Sequence, residues 1–261
     1  MPKIRCNDID LYYEIIGKGE PIVFIHGLGS SGRDWEYQID YFSKRYQVIV
    51  TDVRGHGNSD KPAGPYSIPL FARDTAEIIK GLDIAPTHVV GISLGGMIAL
   101  QLAVDEGELV RSLVVVNSGS DMVVRTMKQR LAIMQRFLIV RLLGMRKMGE
   151  VLGGRLFPKL EQRELRQMFA DRWAENDPSA YREAMRAIVG WSVIKQLHKI
   201  ECPTLVIAAE HDYTPIEDKA PLVNGIKNVK LVIIENSRHA TPVDQPVEFN
   251  KVLNTFLARC T

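Results

Sequence analysis

Thr87-His88-Val89-Val90-Gly91-Ile92-Ser93-Leu94-Gly95-Gly96-Met97-Ile98-Ala99-Leu100-Gln101-Leu102-Ala103 is the stretch whose reading decides the fold. Its first four residues are strand-like, and the run from Gly96 to Ala103 is rich in the helix formers Ala and Leu. Between them Gly91-Ile92-Ser93-Leu94-Gly95 makes a sharp strand-to-helix turn. A serine at such a turn sits in strained backbone and points its hydroxyl away from both elements. Side chains at the flanking glycines would collide where strand and helix cross. The five-residue pattern is weak by itself; the strand before it and the helix after it make Ser93 a candidate nucleophile.

Working outward, short apolar runs alternate with helical patterns. Lys3–Cys6 and Leu11–Ile16 read as a hairpin turned at Asn7-Asp8. Ile22–Ile25, Val48–Thr51, Leu113–Val116, Leu205–Ala208 and Leu231–Ile234 read as further strands, and Asp34–Ser43, Phe71–Leu82 and Val247–Leu257 as helices. Continuous Val/Ile runs, rather than alternation, mean strands covered on both faces, hence a mostly parallel sheet between helices. The segment 119–199 breaks the rhythm: it is all helical in pattern, with Gly153-Gly154 and Pro158 as breakers. The expected organisation is therefore a core of residues 1–118 and 200–261 with an inserted helical cap at 119–199. That insertion holds 16 Lys/Arg against 8 Asp/Glu, about +8, which leaves 17 against 23 elsewhere. Seven of the nine methionines also lie in it.

The whole chain of 261 residues carries a net charge of only +2, so nothing drives it toward nucleic acid. Cys6, Cys202 and Cys260 are far apart and in no metal spacing, which suits a reducing compartment. No apolar leader opens the chain, and no uncharged run reaches the roughly 18 apolar residues of a membrane span. A cytoplasmic protein without cofactor or metal is the expectation.

A serine hydroxyl needs a base, and the base needs a group to orient it. His239 lies in the loop after the last strand, where a doubly wound sheet places its chemistry; His211 competes, while His88 and His198 read as structural. Asp212, just past the strand Leu205–Ala208, is the expected partner of His239, with Asp121 as its rival. The order Ser93, Asp212, His239 suits a nucleophile elbow in mid-sheet. Donors for a developing oxyanion are expected from the backbone amides of Leu94, at a helix N-terminus, and Leu28, in His26-Gly27-Leu28-Gly29.

Taken together, His26–Gly29, Asp52-Val53-Arg54-Gly55-His56-Gly57-Asn58-Ser59-Asp60, Gly91–Gly95 and the Asp212 and His239 loops resemble the α/β-hydrolase fold superfamily over nearly the whole length. Within it the chain most resembles small bacterial esterases and the 3-oxoadipate enol-lactonase group. The resemblance implies a cap domain at 119–199, and a purely structural role for the Asp52–Asp60 turn. Dehalogenases and epoxide hydrolases of this fold carry Asp where Ser93 stands. Meta-cleavage C–C hydrolases usually have Trp where Ala240 stands, and perhydrolases typically have Trp-Pro in place of Leu28-Gly29. The expected activity is hydrolysis of small-to-medium carboxylic esters or lactones through an acyl-enzyme. A C–C hydrolase and a non-catalytic ligand-binding protein are the alternatives. Met127, Met134 and Phe137, on overlapping faces of one helix, are expected to line the acyl pocket. The segment Val124–Leu143 also mixes basic and apolar residues as a membrane-surface helix would. Expected partners are nevertheless a small ester or lactone and a possible second copy, with no nucleic acid and no stable membrane association.

Overall fold

A computed structural model describes residues 2–260. The strands are β1 (Lys3–Cys6), β2 (Ile9–Ile16), β3 (Glu20–Ile25), β4 (Tyr46–Thr51), β5 (Thr87–Ile92), β6 (Val110–Val116), β7 (Thr204–Ala209) and β8 (Val229–Ile234). They form one eight-stranded sheet in the order β1-β2-β4-β3-β5-β6-β7-β8. β1 and β2 pair antiparallel, as do β2 and β4, and every pairing from β4 through β8 is parallel. Asn7 and Asp8 turn the first hairpin with φ of 45° and 65°, a conformation these two side chains tolerate.

The Val/Ile runs of the inner strands do what their composition predicts, whereas the edge strand β8 leaves Ile233 45% exposed. In β5, Val89 packs on one side of the sheet with Val23, Ile25, Leu113 and Val115. Its neighbour Val90 packs on the other side with Phe24, Val114, Val116 and Ile207. Successive side chains point to opposite faces, so both faces must be covered. On the first lie α2 (Ile68–Gly81) and α3 (Leu94–Asp105); on the second lie α1 (Glu36–Phe42) and, near the C-terminus, α9 (Pro246–Leu257). The helix expected over Asp34–Ser43 is split, because Gly32–Trp35 forms a 3₁₀ turn ahead of α1.

Between β6 and β7 the chain makes α4 (Met127–Leu156), α5 (Arg163–Ala174) and α6 (Pro178–Ile188). The excursion leaves and returns at one neck: Met122 N–H donates to Trp191 O at 2.7 Å and Val193 N–H to Ser120 O at 2.9 Å. Its break is not where the glycine pair suggested. Gly153-Gly154 lies inside α4, and the kink falls at Gly144, with φ 79° and ψ 179°. Gly149, a turn ahead of the pair, serves packing: a Cβ there would sit 2.8 Å from the Cβ of Trp173, so its bareness lets α4 approach α5. Two short helices, α7 (Ala220–Gly225) and α8 (Thr241–Asp244), complete the set.

Candidate active site

The site stands at the carboxyl ends of β3, β5, β6, β7 and β8, where parallel strands present their loops. Ser93 is the pivot. It caps α3 with φ 53° and ψ −114°, a region that costs a non-glycine residue about 1–3 kcal/mol. The surroundings enforce it. A Cβ at Gly91 would lie 2.1 Å from Gly95 O, and one at Gly95 2.1 Å from Ile25 O. Only glycines let strand, turn and helix cross this closely. Ser93 N–H donates to Val116 O at 2.9 Å, and the Ser118 hydroxyl donates to Ser93 O at 2.7 Å.

His239 follows β8, and its Nδ1 lies 2.9 Å from Asp212 Oδ1. That bond puts the proton on Nδ1 and leaves Nε2 free to accept. The Asp212 side chain is only 1% exposed. Burial, the largest single influence, pushes its carboxyl up. Hydrogen bonds from His239 and Thr214 and the nearby Lys219 ammonium outweigh this and hold it below the usual carboxylate range. The Thr214 hydroxyl donates to Asp212 Oδ2 at 2.6 Å, and Lys219 Nζ donates to Thr214 Oγ1 at 2.9 Å. Asn117, at the end of β6, ties the loops together. Its Nδ2 donates to His239 O at 2.8 Å, and its Oδ1 accepts from Ala209 N–H at 2.8 Å.

Ser93, His239, Leu28, Asn117 and Ser118 line one cavity of about 220 Å³, walled mostly by Met97, Met122, Leu152, Leu156, Phe169 and Trp173. Leu94, the other expected oxyanion donor, is the first residue of α3. Gly27 brings the Leu28 loop close, since a Cβ there would lie 3.5 Å from that of Ser93. His26 braces this loop: its Nε2 accepts from Val53 N–H at 2.9 Å and its Nδ1 donates to Gly27 O at 2.7 Å. Burial pushes His26 down to about 4 and His56, which packs against it, down to about 3. Both imidazoles are therefore neutral, structural groups.

The rivals lie elsewhere. Asp121 pairs with Arg125 at 2.6 Å, and His211 is an exposed residue beside Glu210. His88 is fully buried against Ser112, and His198 is exposed. Asp52 accepts from the amides of Gly32 and Asn58, and Arg54 makes a buried pair with Asp74 at 2.7 Å, so that segment is a structural turn.

The expected acyl-pocket residues are a correction. Met127 and Met134 are 66% and 58% exposed, and neither they nor Phe137 line the cavity at Ser93. Met134 and Phe137 border a surface groove instead. Helical spacing placed them on overlapping faces of one helix, but spacing does not say which face turns inward.

Tyr213 and Arg136, like Asn117, carried no signal of a role at the site in the sequence. Tyr213 stacks on the His239 ring at 4.2 Å between centroids. Tyr213 is 55% exposed overall, yet it also lines the Ser93 cavity, and desolvation pushes its phenol up. Arg136, from α4, lines both the Ser93 cavity and an adjoining chamber of about 400 Å³. Its Nε donates to Tyr181 Oη at 2.6 Å and its guanidinium lies 5.6 Å from that ring. Among the described residues it has no carboxylate partner.

Comparison with known proteins agrees with the geometry. The sequence profile of the alpha/beta hydrolase fold matches residues 20–246. The chain is 31% identical to the (E)-2-((N-methylformamido)methylene)succinate hydrolase of Acinetobacter baylyi, over 96% of this chain and 95% of that one. It is 28% identical to 3-oxoadipate enol-lactonase 2 of the same organism, over 98% and 96%. Among solved structures, the enol-lactonase from Burkholderia xenovorans superposes with a TM-score of 0.90 at 25% identity, covering 98% of this chain and all of that one.

Proposed function

The chain belongs to the α/β-hydrolase fold family, and from that premise we propose that it is a serine hydrolase of carboxylic esters or lactones. One observation carries the reading: a serine held at φ 53° shares a cavity with a histidine whose Nδ1 is bonded to a buried carboxylate. Ser93 Oγ attacks the substrate carbonyl while His239 Nε2 takes its proton. Asp212 holds the tautomer and stabilises the imidazolium. The amides of Leu94 and Leu28 receive the oxyanion. His239 then returns the proton to the departing alkoxide, and water, activated by the same imidazole, frees the acid from Ser93.

Arg136 narrows the substrate. A guanidinium in a mostly apolar cavity, without a carboxylate of its own, favours a ligand that brings one. The names of these two relatives, a hydrolase of a succinate derivative and an oxoadipate enol-lactonase, describe such molecules as substrates of those proteins. The substrate proposed is therefore an ester or lactone bearing a free carboxylate. A matched pair of esters tests this, one ending in carboxylate and one in methyl, with Ser93→Ala as control. Turnover that favours the acid by about tenfold or more, and vanishes in the control, supports the reading; turnover that survives in Ser93→Ala overturns it.

A further inference from the structure

α4 has two apolar faces. Ile133, Phe137, Ile139 and Val140 pack inward on the core. On the opposite side Met127, Leu131, Met134, Leu138 and Leu142 recur at steps of four, three, four and four residues, which aligns them in one stripe. All five are more than half exposed, from 55% for Leu138 to 67% for Leu142. Single exposed leucines are ordinary on a protein surface, but a continuous row of five marks a contact surface.

The charges beside the stripe say what covers it. Helical spacing puts Arg130 and Arg141 along one edge and Lys128 along the other. Among the described residues none of the three has a carboxylate partner. From Met122 to Gly149 the sequence holds seven Lys/Arg and no Asp/Glu. We propose that this face of α4 docks on an anionic lipid surface, the stripe in the acyl boundary and Lys128, Arg130 and Arg141 against headgroup phosphates. A second copy is the poorer occupant: across a two-fold axis the same stripe would bring two sets of unpaired cations together with no acid between them. No described helix is long and apolar enough to cross a membrane, so the contact is peripheral.

The sequence over Val124–Leu143 mixes basic and apolar residues as a membrane-surface helix would, and the exposure of the stripe favours that reading over the expectation of no stable membrane association. The inward side of the same helix, through Ile133, Arg136 and Ile139, walls the chamber next to Ser93. Docking therefore sets that chamber one helix width from the lipid. The proposal stands apart from the hydrolytic reading and fails or holds separately.

The test is co-flotation of the full chain with vesicles of phosphatidylcholine alone, or with about one-third phosphatidylglycerol. The wild type should bind the anionic vesicles at least about tenfold better and be released in about 1 M salt. The double variant Leu131→Glu, Leu138→Glu should lose that binding about tenfold or more. Its melting temperature and its p-nitrophenyl butyrate turnover in vesicle-free buffer should stay unchanged. The variant Lys128→Gln, Arg130→Gln, Arg141→Gln, which keeps the stripe, should lose the preference for anionic lipid. Absence of wild-type binding, or binding that the glutamates leave intact, overturns the proposal. So does a wild-type dimer in sedimentation equilibrium that the glutamates dissociate, since the second copy is then the occupant.

Discussion

The Ser93 turn and the α4 helix use apolar residues in opposite ways. Around Ser93 the neighbours are fixed by one another: Gly91 and Gly95 by backbone oxygens that a Cβ would meet at 2.1 Å, the serine by Val116 and Ser118, the histidine by Asp212 and Asn117. On α4 one side is packed and the other stands bare. The first region is over-determined, so a change there should remove activity without touching anything else. The second is under-determined within this chain, so a change there should alter what the protein meets rather than what it does.

The largest effect that can break this contrast is Ser93→Ala. Ester turnover should fall by about 10⁴ to 10⁶ with the melting temperature nearly unchanged, because the hydroxyl serves attack and not packing. More than a tenth of the wild-type rate remaining would move the nucleophile elsewhere. Asp212→Asn should cost about 10⁴ in kcat by holding the wrong imidazole tautomer. Asp121→Asn, which loosens an ion pair with Arg125 and a bond from the Val123 amide away from Ser93, should change kcat little. A reversal of those two results would hand the acid's role to the loop after β6.

The over-determined region was also the legible one. Gly91, Ser93 and Gly95 announce their turn, and Val/Ile runs announce strands covered twice, because each of those residues answers a constraint that lies nearby in sequence. Asp212 could be chosen over Asp121 only by chain order and loop position, and the bond of 2.9 Å to His239 agrees with that choice. The insertion was legible as helices but not in its facing. Period 3.6 groups Met127 and Met134 together without saying that Arg136, on the other side, is the one turned to the cavity. Tyr213 and Asn117 gave no signal, since stacking on an imidazole and clamping two loops depend on how the strand ends come together.

Acid should weaken the same over-determined region through its histidines. His26 and His56 have folded values of about 4 and about 3, below the unfolded value near 6.5. The unfolded chain therefore binds their protons more readily, and stability falls as pH drops below about 6.5 until the folded values are reached. The shifts correspond to about 3 kcal/mol for His26 and about 5 kcal/mol for His56. Urea midpoints taken from pH 7 down to pH 4 should fall steadily; a flat profile would mean that these imidazoles are accessible or charged in the fold.

Arg136 lies where the two regions meet, and a smaller effect sharpens the comparison there. Arg136→Met should lower kcat/KM for the carboxylate-bearing ester by about 10- to 100-fold, the size of a charged hydrogen bond, and leave the methyl-terminated ester within about twofold. An equal loss on both would make Arg136 a brace for Tyr181 rather than an anchor for substrate.

The smallest effect discriminates most finely, because it compares two kinds of residue on one helix. Leu152 projects from α4 into the cavity beside Ser93, whereas Met127 and Met134 are exposed on its far side. Leu152→Ala removes apolar contact worth about 1–3 kcal/mol to a well-fitting chain. It should therefore shift the chain-length optimum of a p-nitrophenyl ester series, with longer esters losing kcat/KM and acetate little changed. The double variant Met127→Ala, Met134→Ala should leave the whole series as in wild type, since neither side chain touches the cavity. Circular dichroism on both variants separates a lost contact from a loosened insertion. If the outward pair moved the optimum and Leu152 did not, the helix would have to turn its other face to Ser93 when substrate binds, and the contrast between the two faces would be false.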